Sequence, residues 1–281
     1  MLKTRILTAL VLLAVLLPVL YSNNYTAFAV VVVAFFGAAV WETFRLFNPK
    51  STKAPLVALF WTAAFAWAFF IADANASRSF WFVISVLVWA LRLVPSLKTG
   101  LPPLDSTGNT LLSLTYAVAL VGCFAAIVTL YAYSPLYLLS VLVIVWCADV
   151  FAYFSGKAFG KRKLAPSISP GKSWEGAIGG GIAVLVIATL AILFAGDTLS
   201  NSFPVRVQAS LGWAATWLTL VLVVAASIVG DLFESQLKRR AGMKDSSNLL
   251  PGHGGVLDRI DALVPVLPLA ALIGAWLQAP V

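Results

Sequence analysis

Between Ser227 and Asp261 the chain gathers five acids (Asp231, Glu234, Asp245, Asp258, Asp261), five bases (Lys238, Arg239, Arg240, Lys244, Arg259) and its single histidine, His253. Only 11% of the residues are charged, so this density asks for a chemical reason. Ser227, Asp231, Glu234, Ser235 and Lys238 recur at the spacing of one helix face. Asp258 and Asp261 form a second acidic pair, three positions apart. Two acid pairs with no cysteine nearby suit a hard cation held by oxygens, Mg2+ above all, rather than Zn2+. Between the pairs, Pro251-Gly252-His253-Gly254-Gly255 is a loop of unusual backbone freedom. A lone histidine is usually structural. Flanked by glycines and charges, His253 is read as functional.

Two further groups carry chemistry. Asp149 lies inside an apolar run and shares a helix face with Tyr153, Gly156 and Gly160. A carboxylate there is costly unless it is paired or lines a wet cavity; the glycines alone would serve close helix approach. The second group runs from Lys161 through Ser169, Gly171-Lys172-Ser173 and Glu175 to Gly180. Gly-Lys-Ser invites a P-loop reading, but Pro166 stands where that loop needs its first glycine, and no strand is predicted before it. What remains is a basic Ser/Gly/Pro-rich loop entering a helix, with Ser173 or a near neighbour as its cap. Its backbone N–H groups and Lys172 would favour a phosphate.

The elements that must hold these groups are membrane helices. Hydrophobic residues make up 61% of the chain and the mean hydropathy is +0.95. About nine apolar runs approach spanning length: 6–21, 25–41, 54–71, 79–97, 111–130, 136–154, 176–195, 211–230 and 262–279. With the N-terminus in the cytoplasm, every Lys and Arg except Arg78 and Arg206 falls on an inside flank, as positive-inside insertion requires. The expected fold is all-α and polytopic, with motif loops 155–175 and 231–261 on the cytoplasmic side of the cell membrane. Residues 1–110 read as a membrane-spanning region without a polar constellation, and 111–281 as the catalytic region. The net charge of +8 is spread over membrane-flanking loops, so nucleic acid is not an expected partner. Cys123 and Cys147 read as packing residues. Lys3, Arg5 and the apolar run after them have signal-peptide character, with Ala27-Phe28-Ala29 as a conceivable cleavage site. A helical hairpin turning at Ser22-Asn23-Asn24 is the preferred reading.

Oxygen-held metal, cationic loops and a membrane-surface position suit phosphoryl or nucleotidyl transfer on a lipid. The run from Ser235 through Lys238, Lys244-Asp245, Ser247, Leu250-Pro251, His253-Gly254-Gly255-Val256 and Asp258-Arg259-Ile260-Asp261 resembles the signature of phosphatidate cytidylyltransferases, with no departure from its pattern. Ser169–Gly176 and the Asp149, Tyr153, Gly156 spacing are similar to that family's other motifs; the agreement covers roughly 135–262. The resemblance implies CMP transfer from CTP to phosphatidic acid, giving CDP-diacylglycerol and pyrophosphate. It implies Mg2+, leaves a second cation open, and implies a homodimer. Asp231 and Asp258 would be the metal-binding carboxylates. Lys238, Arg239, Lys244, His253 and Arg259 join them as expected catalytic residues. Asp149, Tyr153, Ser169, Lys172, Ser173, Glu234, Ser235, Asp245 and Asp261 are expected at the substrates. Two other readings compete. A CTP-dependent polyprenol kinase would release CDP. A transporter should place charge at mid-bilayer in several runs, and only Asp149 qualifies.

Overall fold

The computed structural model describes residues 2–22, 24–72, 78–194 and 196–278. The predicted run ends at 195 and 279, Asn23, and the side chains of Lys3 and Arg5 lie outside the described residues. Each apolar run forms a helix: α1 (Leu2–Tyr21), α2 (Tyr25–Phe47), α3 (Ala54–Ala66), α4 (Arg78–Val88), α5 (Val94–Thr99), α6 (Thr107–Tyr133), α7 (Pro135–Phe159), α8 (Trp174–Phe194), α9 (Phe203–Arg240), α10 (Leu257–Ile260) and α11 (Leu263–Gln278). Helix α3 ends in a π-helical turn, and another joins α4 to α5. Seven of these segments, among the described residues, are long and apolar enough to cross a membrane: α2, α3 and α4 with their π turns (the last including α5), α6, α7, α8 and α9. The described apolar part of α1, Leu10–Tyr21, and α11 are shorter. The protein is an all-α polytopic membrane protein.

Local chemistry sets the helix starts. Asn24, Ser106 and Ser134 each accept the backbone N–H three residues on, at 3.0, 3.2 and 3.3 Å, which satisfies a donor that the first turn leaves without a partner. Helix α6 is the axis of the bundle and packs against α2, α4, α7 and α11. Its Tyr116 and Phe124 are fully buried. Phe124 meets Phe36 and Phe65 edge-on, while Tyr116 lies against Trp89 and Phe233. Lipid tails are as apolar as these side chains, so close packing rather than water exclusion holds such helices together.

Helices α7 and α8 approach most closely where both carry small residues. A Cβ on Gly176 would stand 2.8 Å from the carbonyl oxygen of Ala152, and one on Gly180 would collide with Ala148. This contact fixes α8, and with it the hairpin that precedes it.

Two expectations are corrected. Residues 161–173 are not an irregular loop: β1 (Lys163–Ala165) and β2 (Ser169–Ser173) pair antiparallel, with Lys163 opposite Ser173 and Ala165 opposite Ser169. Glu175, in the first turn of α8, accepts the N–H groups of Lys161 and Arg162 at 3.1 Å and closes the hairpin base. Nor does the 211–230 run end in a loop at Asp231. Helix α9 continues to Arg240, because Asp231 to Arg240 lacks any Gly or Pro to stop it. Cys123 and Cys147 are free thiols, Cys123 fully buried.

Candidate active site

The C-terminal end of α9 supplies the first half of the site. Helical spacing puts Asp231 and Ser235 one turn apart, and Ser235 Oγ donates to Asp231 Oδ1 at 3.2 Å. Lys172 reaches over from β2, its Nζ 2.5 Å from Asp231 Oδ2. A turn further on, Lys238 Nζ contacts Glu234 Oε2 and stands 2.6 Å from Asp258 Oδ1. Glu234 is fully buried, and a buried carboxylate needs such a partner.

Asp258 organises the second half. Its Oδ2 accepts from Ser246 N at 2.9 Å, Ser246 Oγ at 2.8 Å and Gly255 N at 2.7 Å. Burial alone would raise its pKa; the hydrogen bonds from Lys238, Gly255 and Ser246 outweigh that and hold it below the ordinary value. Gly254 has a φ of +84°, and a Cβ there would lie 2.7 Å from Asp258 Oδ2, so the turn requires glycine on both counts. Asp261 behaves oppositely. Burial first, then the negative charge of Asp231, push its pKa up to about 8.

One anchor of this loop was not foreseen. Residues 1–110 do contribute a polar constellation: Glu42 on α2 is fully buried and accepts from Ser247 Oγ at 2.5 Å, Val256 N at 3.0 Å and Leu257 N at 2.6 Å. It caps the start of α10. In the sequence its signal is slight, a lone acid one position past the 25–41 apolar run and three before Arg45.

These groups line one end of a cavity of about 1430 Å3. Asp149, Tyr153, Ser169, Lys172, Ser173, Asp231, Lys238, Asp245, His253, Asp258, Arg259 and Asp261 all face it. Its other walls are apolar: Leu12, Leu16 and Leu20 of α1, Phe28 and Val32 of α2, Phe124 of α6, Leu138 and Val145 of α7. Ser173 Oγ also accepts Gly176 N at 3.1 Å, the cap expected of it. Not every expected residue is there. Glu234 and Ser235 stand behind the wall, bonded to Lys238 and Asp231. Lys244 lines a separate, smaller cavity of about 300 Å3 with Asp245. Arg239 is exposed and lines neither of these cavities, since one residue past Lys238 is a quarter-turn around the helix.

The donor set suits a hard divalent cation. Asp149, Asp231, Asp258 and Asp261, which line the cavity, outnumber the two ammonium groups paired among them, Lys172 and Lys238. Among the described residues no three acidic, histidine or cysteine side chains form a complete metal cage. Mg2+ rarely needs one, because one or two carboxylates, water and substrate phosphates complete its sphere. Asp231, its side chain still 30% exposed, is the accessible member.

A family profile described as the cytidylyltransferase family matches residues 3–277. A phosphatidate cytidylyltransferase of Haemophilus influenzae is 39% identical over 291 aligned positions, covering 95% of this chain and 96% of that protein. The same-named protein of Pseudomonas aeruginosa is 41% identical over 299 positions, 98% of each chain. That of Bacillus subtilis is 33% identical over 272 positions, 95% of each. With the match running nearly end to end, the chain belongs to the cytidylyltransferase family.

Proposed function

We propose that this protein transfers CMP from CTP to phosphatidic acid, releasing pyrophosphate and leaving CDP-diacylglycerol in the membrane. The observation that carries this reading is the continuity of the large cavity. One cavity is lined both by apolar side chains suited to acyl chains and by charged groups suited to phosphates. The names of the full-length relatives agree with it.

A phosphate monoester has a second pKa of about 6, so the lipid phosphate is already a dianion near pH 7. Its oxygen attacks the α-phosphorus of CTP. A new P–O–P bond forms, the α–β bond breaks, and pyrophosphate leaves with the electron pair. No base has to remove a proton. The work of the protein is to bring polyanions together, and Lys172, Lys238 and Arg259 supply cations where charge concentrates. Lys172 and Lys238 are held on Asp231 and Asp258, from which an arriving phosphate can draw them. Mg2+ would be held by Asp231 and Asp258. It would supply fixed positive charge against the reacting phosphates. His253 orients phosphate at the loop. The protein spans the cytoplasmic membrane about nine times, with its N-terminus and the charged end of the cavity facing the cytoplasm, and works as a homodimer.

The test is purified protein with labelled CTP, phosphatidic acid and Mg2+. A labelled CDP-lipid with pyrophosphate is expected. Labelled CDP with a phosphorylated lipid would establish the kinase reading instead.

A further inference from the structure

The smaller cavity, of about 300 Å3, lies between the last turn of α2 and the loop after α9. It is lined by Arg45, Met243, Lys244, Asp245, Ser247 and Asn248. Two cations against one acid make it a net-positive recess. The guanidinium of Arg45 lies over the Trp41 ring, 4.7 Å from its centroid, which limits the conformations it must lose on binding. Three residues before it, Glu42 holds Ser247 and the start of α10. The same helix turn thus fixes one wall of the recess and supplies a charge to it. Asp245 borders both cavities, so the recess adjoins the charged part of the larger cavity, where Lys172, Asp231 and Lys238 stand.

We propose that the recess receives the distal phosphates of the nucleoside triphosphate, gripped by Arg45 from the N-terminal half and Lys244 from the motif loop. This rests on the nucleotidyl-transfer reading above and adds Arg45 as a substrate-binding residue outside the region of motif resemblance. The recess is too small and too polar for acyl chains, and two cations at its rim suit a polyphosphate leaving group.

The experiment is steady-state kinetics on Arg45→Gln, Arg45→Lys and Lys244→Gln in the full chain, with inorganic pyrophosphate as a product inhibitor. Lys50→Gln, an exposed charge beyond α2, controls for general surface potential. Arg45→Gln and Lys244→Gln should each raise the KM for CTP and the inhibition constant for pyrophosphate about tenfold or more. The KM for phosphatidic acid should stay within about twofold. Arg45→Lys should fall between, and Lys50→Gln should match wild type. If wild type makes no CDP-lipid, the functional reading fails first. If it does, and both Gln variants leave the CTP and pyrophosphate constants unchanged, or raise the KM for phosphatidic acid instead, the inference falls alone. Should Arg45→Gln not fold by thermal melt, Lys244→Gln, on an exposed position, decides by the same criteria.

Discussion

The carboxylate of Glu42 accepts the backbone N–H of Leu257 at 2.6 Å, across 215 positions of sequence. The C-terminal part of α2 therefore positions α10, which carries Asp258 and Arg259 into the cavity. Removing that carboxylate leaves Ser247 Oγ and two backbone N–H groups buried without an acceptor, each worth about 1–3 kcal/mol. Glu42→Ala should lower the melting temperature in detergent markedly and cut turnover at least tenfold, with Glu42→Gln intermediate. Wild-type melting and turnover in Glu42→Ala would remove the anchor.

Asp231→Asn and Asp258→Asn should each abolish turnover while the protein remains inserted. Asp197→Asn, in the turn between α8 and α9, should be near normal. The Asp258 variant should also melt earlier, because its carboxylate holds Ser246, Gly255 and Lys238; the half-buried Asp231 should cost less. Retention of more than about a tenth of the wild-type rate, equivalent to about 1.4 kcal/mol of barrier, would exclude a direct role for that residue.

Asp261 gives a pH signature. Its folded pKa, about 8, lies above the ordinary 3.8. The folded state thus binds the proton more tightly, and stability falls as pH rises from about 4 toward 8. Asp261→Asn, permanently neutral, escapes that loss. In ion-free protein its melting temperature should exceed wild type by a margin that grows between pH 5 and pH 8. A margin independent of pH, or one that shrinks, would contradict the assignment.

For His253 the expectation is an orienting role rather than that of an obligatory base. His253→Gln should keep more activity than His253→Ala, and its pH–rate profile should retain an acid limb near pH 6 from the lipid phosphate. Rates across pH 5.5–8 at saturating Mg2+ decide it. If the acid limb vanished in the Gln variant, the histidine would be the base.

Topology is tested by cysteine substitution. Ser167, in the hairpin turn, and Asn248 are exposed and suitable. Ser246 is not, being fully buried against Asp258. Neither position should label from the outer face of intact cells with an impermeant reagent, and both should label in inverted vesicles.

Much of this architecture follows from the chain alone, because a bilayer leaves a polypeptide few choices. Runs of apolar residues must close their own backbone hydrogen bonds, so each becomes a helix. Ser134 and Ser173 cap their helices through contacts three residues long, which any reading of the sequence can reach. Helical spacing likewise places Asp231, Ser235 and Lys238 together and turns Arg239 away. What meets across the bundle is a different matter. That Lys172 lands on Asp231, that Lys238 joins Glu234 to Asp258, and that Glu42 reaches Leu257 depend on which helix faces come into register. That register is decided by packing, as where the glycines of α8 let it close on α7. Periodicity specifies a face, but only the fitted surfaces of neighbouring helices specify what that face touches.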